Sequence, residues 1–222
     1  TELVCSLDDA FEVLERFEEI YDEPFGDSSG IPTYLVSRLA RRQVKVALSA
    51  DAGDELFAGY TKYPFVRDYH RRLARLPGAV RGLASGLLGL LSPETVEAVW
   101  NSLSAALPLP RYTNLKDKFF KFRNLLSERD LRSAFLRAAS FATPRTVAGI
   151  LARPPEPAPG LQGTGFDLGL DGSLDPLSCL QIMDFNTYLV DDILVKVDRA
   201  TMQNSLEGRE PFLDHHLIEF VA

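Results

Sequence analysis

A chain of 222 residues, 45% apolar and 25% charged, is long enough to bury a core and has the composition of a globular protein. Its net charge of −7 disfavours a nucleic-acid binder, and its two cysteines, Cys5 and Cys179, are too few and too distant for a disulfide framework. No segment reaches transmembrane length: the most apolar stretch, 78–91, is glycine-rich, carries Arg81 and reads as a buried or loosely packed helix.

The charge is uneven along the chain. Residues 1–60 carry 5 basic and 13 acidic side chains, residues 61–153 carry 16 and 6, and residues 154–222 carry 3 and 12. A basic middle between acidic ends is expected to meet those ends or a partner domain rather than a polyanion. Sparse cysteines point to a reducing compartment, so a cytoplasmic location is expected. No signal-peptide pattern opens the chain and nothing at Thr1 looks like a natural start, so the chain is expected to be cut from a longer one.

In chain order, Ser6 followed by Asp8 and Asp9 opens a helix with Leu7, Phe11, Leu14 and Phe17 on its inward face. A loop dense in turn residues, 21–30, leads to a second helix that has Pro32 near its first turn and runs to about Arg42, with Tyr34, Leu35 and Leu39 inward. Val44, Val46, Ala47 and Leu48 form an apolar run suited to a short buried parallel strand. Ser49 ends it, small residues follow at Ala50, Ala52 and Gly53, and three acids, Asp51, Asp54 and Glu55, sit among them. Leu56, Phe57, Tyr60 and Tyr63 then recur at helical spacing. Strand, small-residue turn and helix place a ligand loop at the carboxyl end of a parallel strand. Carboxylates there suit phosphates only through a divalent cation shared between them.

Residues 61–150 read as all-helical: 63–75, 77–91, 93–107, 116–125, 128–139 and 144–151, with stops at Pro and Gly. Within them, 116–123 (KDKFFKFR) mixes bases and aromatics as single-strand binders do, but an amphipathic helix with a wet basic face is the favoured reading. The Pro- and Gly-rich segment 153–174 reads as a mobile surface loop. Asp175-Pro176 starts another helix. Farther on, Lys196 and Arg199 lie three apart on one helical face, placed either to pair with Asp191, Asp192 and Asp198 or to meet a polyphosphate. The pair His215-His216 after Asp214 reads as the first turn of a surface helix rather than a metal site.

Three stretches carry a resemblance. SADAGDELFAGY, 49–60, resembles the S-G-E-G-x-D-E-x-F-G-G-Y stretch of the asparagine synthetase family. Residues 22–29, DEPFGDSS, resemble the D-E-P-x-x-D-x-S segment that precedes it there. Residues 188–222 resemble the family's Y-L-P-D-D-I-L-x-K-x-D-R-x-S-M-x-x-S-L-E-x-R-x-P-F-L-D segment nearly residue for residue. The resemblance implies a predominantly helical α/β fold, part of a doubly wound ATP-pyrophosphatase-type synthetase domain with few parallel strands, spanning 1–222.

The family adenylates the side-chain carboxylate of aspartate with ATP and Mg2+, releases pyrophosphate, and lets ammonia displace AMP. The ammonia comes from glutamine through an N-terminal glutaminase domain. On that likeness Ser49, Ala50, Gly53 and Asp54 bind the nucleotide, Asp54 also holds the metal, Asp51 lies near the acyl-adenylate, and Lys196 or Arg199 faces the leaving phosphates. Glu207 and Arg209 shape the substrate pocket or pair to hold the fold.

Three departures stand out. Ala50 and Ala52 replace glycines, which would strain any positive-φ position. Asp51 is one methylene shorter than the family's Glu. The S-G-G-x-D-S loop that grips ATP is absent from these residues, as is an N-terminal Cys for glutaminase chemistry. By the family's order the ATP loop lies upstream of Thr1, so the chain alone is expected to be inactive. A sister ligase acting on another carboxylate, including β-lactam formation, and a non-catalytic scaffold are the alternatives. The oligomeric state, a homodimer among the options, is left open by the sequence.

Overall fold

A computed structural model describes residues 4, 6–73, 75–107, 115–126, 128, 131–139, 148–151 and 174–221. Its described residues fall into two units, 4–60 with 181–221, and 61–151 with 174–180. The expected loop at 153–174 and the helix start at Pro144 lie largely or wholly outside the described residues.

The first unit opens with helix α1 (Leu7–Glu15). Ser6 caps it in a reciprocal box: the Asp9 N–H donates to Ser6 Oγ at 3.2 Å and the Ser6 N–H to Asp9 Oδ2 at 2.9 Å. The chain breaks at Arg16 and restarts as α2 (Phe17–Tyr21), so the first helix is two helices. Tyr21 is fully buried, lies between Phe17 and Phe25 with ring centroids 4.6 Å away on each side, and donates to the Gly30 carbonyl at 3.0 Å. A Cβ at Gly30 would stand 2.6 Å from the Tyr21 hydroxyl, so this close approach requires glycine. Helix α3 (Gly30–Arg41) follows, with Tyr34 and Leu35 buried as expected.

Of the face read as inward, Phe17 packs against the core but the rest points outward. Leu7, Phe11 and Leu14 are 77%, 60% and 48% exposed, while Val13 is buried with Ile20, Tyr21, Tyr34, Leu35 and Ala200. The apolar stripe was legible; which neighbour covers it is a tertiary fact.

Strand β1 (Val46–Leu48) pairs in parallel with β2 (Glu207–Arg209), with Val46 opposite Glu207, Ala47 opposite Gly208 and Leu48 opposite Arg209. The Ser49 N–H extends the ladder to the Arg209 carbonyl at 2.9 Å. Burial of this strand does not hold, since Leu48 is 73% exposed. Parallel strands are ordinarily covered on both faces by crossover helices, and among the described residues the sheet has only these two strands.

After β1 comes the short helix α4 (Gly53–Phe57). The return to the sheet runs through a π-helical turn, Leu189–Ile193, in which the Leu194 N–H bonds to the Leu189 carbonyl five residues back. It continues directly into an α-helix, Leu194–Gln203, which packs along α3. That helix stops at Ser205, whose φ of 54° is left-handed, with Leu206 N–H bonding to Thr201 O at 3.0 Å and Ser205 N–H to Met202 O at 2.8 Å. A final helix, His215–Val221, starts under Asp214, which accepts from the His216 N–H at 2.9 Å, so the His-His pair is a first turn as read.

The second unit is helical among its described residues. It holds α5 (Lys62–Leu73), α6 (Gly78–Gly89), α7 (Pro93–Ala106), α8 (Leu115–Leu126) and α9 (Leu131–Ala139). Ser92 caps α7, accepting from the Thr95 N–H at 3.1 Å. Asp175 caps the helix Pro176–Phe185, as its Asp-Pro start implied, accepting from the Leu177 N–H at 2.8 Å. Of the two readings for the apolar stretch, α6 takes the loosely packed one: Leu83, Leu87 and Leu90 are exposed. Tyr63 and Phe135 form the buried centre, stacked with centroids 6.1 Å apart.

Candidate functional site

The parallel pair delivers the site. Both strands end on the same side, β1 into Ser49-Ala50-Asp51 and β2 into Glu210. Ser49 Oγ donates to Asp51 Oδ2, and Asp51 N–H approaches Ser49 Oγ at 3.3 Å, so the turn is tied to itself. Burial pushes the Glu210 carboxyl up, and the charges of Asp51 and Asp198 push it further. The carboxyl ends of two strands thus bring acids from either end of the sequence within electrostatic reach.

Ala52 takes φ 70° and Ala58 takes φ 54°, both left-handed. Both stand where the quoted motif has glycine, so the anticipated strain is present at Ala52 and recurs at Ala58, at about 1–2 kcal/mol each. The Ala52 side chain is buried with Leu189 and Ile193. Gly53 faces Phe212, whose ring would lie 3.2 Å from a Cβ there, and Phe212 meets Phe57 edge-on at 5.6 Å. A Cβ at Gly59 would collide with the Asp54 carboxylate. The two motif stretches are therefore packed against each other residue by residue.

Of the neighbouring acids, Asp54 is exposed and Glu55 is buried, 1% exposed. Glu55 is thus no solvated helix-end charge. It accepts from the Tyr60 hydroxyl. Gln181 Nε2 donates to the Glu55 and Leu56 carbonyls at 3.0 and 2.8 Å, closing the end of α4. Tyr60 lies 6.0 Å from Tyr188, ring to ring. Burial first, then the charge of Glu55, pushes the Tyr60 hydroxyl above the phenol range, and burial with Asp192 pushes Tyr188 up to about 12. Both phenols remain protonated donors at neutral pH.

Lys196 is buried, 7% exposed. Its Nζ donates to Asp27 Oδ2 at 3.0 Å and Ser29 Oγ at 2.8 Å. Burial alone would raise the Asp27 carboxyl, but the Ser29 hydroxyl and N–H and the Lys196 ammonium hold it below the usual range. Arg199 is more open and lies 3.4 Å from Glu23. The D-E-P-F-G-D-S-S loop therefore receives both cations of the K-x-D-R helix. Arg209 pairs with Glu207 on the exposed strand at 2.7 Å.

Of the residues expected together on the loop, the structure places Ser49, Ala50 and Asp51 in the turn after β1 and Gly53 and Asp54 in the first turn of α4. Sequence reasoning missed Tyr60, Tyr188, Gln181 and Glu210, and the buried state of Glu55. Tyr60 and Glu210 lay inside the resembling stretches and carried a signal; Gln181 carried none. Among the described residues no group of three or more His, Cys, Asp or Glu is placed to hold a metal by itself. Asp54 is an exposed carboxylate at the start of α4 and offers hard oxygen donors, the chemistry of a cation such as Mg2+ that takes one or two carboxylates and completes its shell with substrate phosphates.

The sequence model of the asparagine synthase family matches residues 1–222, and the chain belongs to that family. The chain is similar to a Mycobacterium tuberculosis protein named as a glutamine-hydrolysing asparagine synthetase, at 31% identity over 95% of this chain and 29% of that one. It is 28% identical to the Bacillus subtilis glutamine-hydrolysing asparagine synthetase 1, over 87% of this chain and 27% of the relative. A shorter match to a Methanocaldococcus jannaschii protein of the same name reaches 48% over 66 residues. The chain thus spans under a third of the length of the curated relatives it matches. No solved structure matches it.

Proposed function

We propose that this chain is part of the synthetase domain of an ATP-dependent ligase that adenylates the side-chain carboxylate of aspartate and passes it to ammonia, giving asparagine. The observation that carries the reading is that the turn with Ser49 and Asp51 and the residue Glu210 follow the carboxyl ends of two paired parallel strands, where α/β folds bind nucleotides. Ammonia comes from glutamine through a glutaminase domain elsewhere in the protein, and the location is cytoplasmic.

In this reading Asp54 would hold Mg2+, which when bound would neutralise charge on the phosphates. Ser49, Ala50 and Gly53 line the nucleotide with backbone and small side chains. Asp51 faces the acyl-adenylate. Arg199, the more open cation, steadies departing pyrophosphate, while Lys196 holds the Asp27–Ser29 loop in place beneath it. The protonated Tyr60 and Tyr188 fix the buried Glu55 side of the loop.

The test is pyrophosphate release from ATP by the full-length protein with aspartate and ammonia. Release that depends on aspartate and falls about 10²–10³-fold in Asp54→Asn is the expected result. The 222-residue chain alone is expected to release none. A second reading, a scaffold that keeps the fold without catalysis, draws on the alanines at 52 and 58 where a left-handed backbone favours glycine. Absence of release from the full-length protein with every carboxylate tried selects it.

A further inference from the structure

Two kinds of backbone position favour glycine: those with a left-handed φ, and those where another group closely approaches the Cα. Around α4 the chain separates the two. Its left-handed positions, Ala52 and Ala58, carry alanine. Gly59 keeps glycine although its own φ lies outside the left-handed region, so conformational freedom does not explain it. What explains it is room.

The residue that needs the room is Asp54. The N–H groups of Ala58 and Gly59 both donate to the Asp54 carbonyl, Gly59 at 2.9 Å, and this closing of α4 sets the Gly59 Cα against the Asp54 side chain. A Cβ at Gly59 would fall on Asp54 Oδ1 and stand 3.0 Å from its Cγ and 3.3 Å from its Cα. Its three nearest neighbours thus all belong to one residue. The backbone contact asks for a shift of a few tenths of an ångström, whereas the carboxylate contact cannot stand at all. An exposed carboxylate can leave for another staggered rotamer, so a methyl at position 59 would turn the Asp54 side chain and leave the fold in place.

We propose that Gly59 is a positioning residue for Asp54: its missing side chain keeps open the rotamer in which the Asp54 carboxylate is available to a divalent cation. This role rests on the ligase reading of Asp54. It accounts for the pattern around α4. The methyls at 52 and 58 strain only the chain's own backbone, while one at 59 would redirect the side chain on which that reading depends. Groups that orient a metal ligand without touching the metal typically change its affinity about 10–100-fold when they are altered.

The test compares Gly59→Ala, Asp54→Asn, the double variant and Gly86→Ala in the full-length protein. Gly86 serves as the control, since a Cβ there meets nothing within 4 Å. Mn2+ binding in the presence of α,β-methylene-ATP, followed by water-proton relaxation, should weaken about 10–100-fold in Gly59→Ala, and the Mg2+ needed for half-maximal pyrophosphate release should rise by a similar factor. The melting temperature should stay within about 3 °C, because alanine suits the backbone at position 59. Adding Gly59→Ala to Asp54→Asn should cost less than about twofold further, since the carboxylate it would displace is already gone. Gly86→Ala should leave binding and release unchanged. Unaltered Mn2+ binding and Mg2+ requirement in Gly59→Ala, or full additivity in the double variant, would overturn the proposal. So would a fall of more than about 10 °C in melting temperature, which would make Gly59 a residue of the fold. Intact Mn2+ binding without pyrophosphate release by the unsubstituted protein would instead overturn the ligase reading, with Mn2+ binding still deciding the role of Gly59; no Mn2+ binding by that protein would overturn both.

Discussion

Each of the two units is held together internally by different means. The motif-bearing unit ties distant segments with polar bonds placed in its interior: Lys196 to Asp27, 169 residues away, and Gln181 to the Glu55 carbonyl, 126 away. The helical unit relies on rings and on side chains reaching backbone carbonyls, such as Arg81 to Glu128 at 2.9 Å. It leaves Leu83, Leu87 and Leu90 of its α6 region in solvent. Buried polar bonds fix one arrangement because any other strands a charge; apolar contacts tolerate shifts. Geometric definition is thus concentrated where the two motif stretches meet.

The sharpest way to break this contrast is to remove one partner of the buried pair. Asp27→Ala should cost about 3–5 kcal/mol, since Lys196 is left charged and buried, whereas Lys196→Met should cost less, about 1–3 kcal/mol, because the more open Asp27 keeps the Ser29 hydroxyl and N–H. Denaturant midpoints separate the two. If Lys196→Met also retains activity in the full-length protein, Lys196 serves the fold alone. The same pair sets a pH dependence. The folded Asp27 carboxyl lies below its unfolded value, so its stabilisation is complete above the unfolded pKa and is lost as pH falls through the folded one. Stability should be level near neutrality and decline below about pH 4, and Asp27→Asn should flatten that decline.

Next in size is Glu55→Gln, expected to cost about 1–3 kcal/mol because a buried acceptor of the Tyr60 hydroxyl is altered. Asp54→Asn, at an exposed carboxylate, should stay within about 0.5 kcal/mol in stability while damaging pyrophosphate release. Thermal melts beside activity assays read both.

Much of the local structure was legible because its causes are local. Ser6 with Asp9, and Asp175 before Pro176, announce helix starts through bonds made within three residues. The turn from Ser49 to Asp51 was legible for the same reason. Glu55 was not: the sequence shows two acids in a row, and only packing against Tyr60 under Gln181 decides which of them is buried. The stripe Leu7, Phe11 and Leu14 failed similarly, because periodicity reveals an apolar face without naming its neighbour. Lys196 and Arg199 share a helical face as their spacing required, but their partners at 23–29 lie too far along the chain for spacing to reveal.

A smaller effect sharpens the comparison at the loop. Ala58→Gly should raise stability by about 0.5–1 kcal/mol, roughly 2–4 °C at the upper end, by relieving a left-handed alanine. Ala52→Gly should gain less, since its methyl packs with Leu189 and Ile193. Smallest of all, Leu83→Gln on α6 should change stability by no more than about 0.5 kcal/mol. A large loss there would mean that this face has a partner and that the helical unit is more tightly specified than its surface suggests.

The π-helical turn at Leu189–Ile193 acts as a phase setter. An α-helix advances about 100° per residue, so one residue of surplus held within a turn rotates everything before it relative to everything after. Tyr188 and Leu189, on the near side, reach Tyr60 and Ala52; Lys196 and Ala200, on the far side, reach the 27–35 region. A regular helix would swing one set off its target whenever the other was seated. Deleting a single residue from this turn would therefore uncouple the loop after β1 from the loop before α3 without changing any side chain that touches either, and the azimuth of a helix becomes the link by which two distant motifs are kept in step.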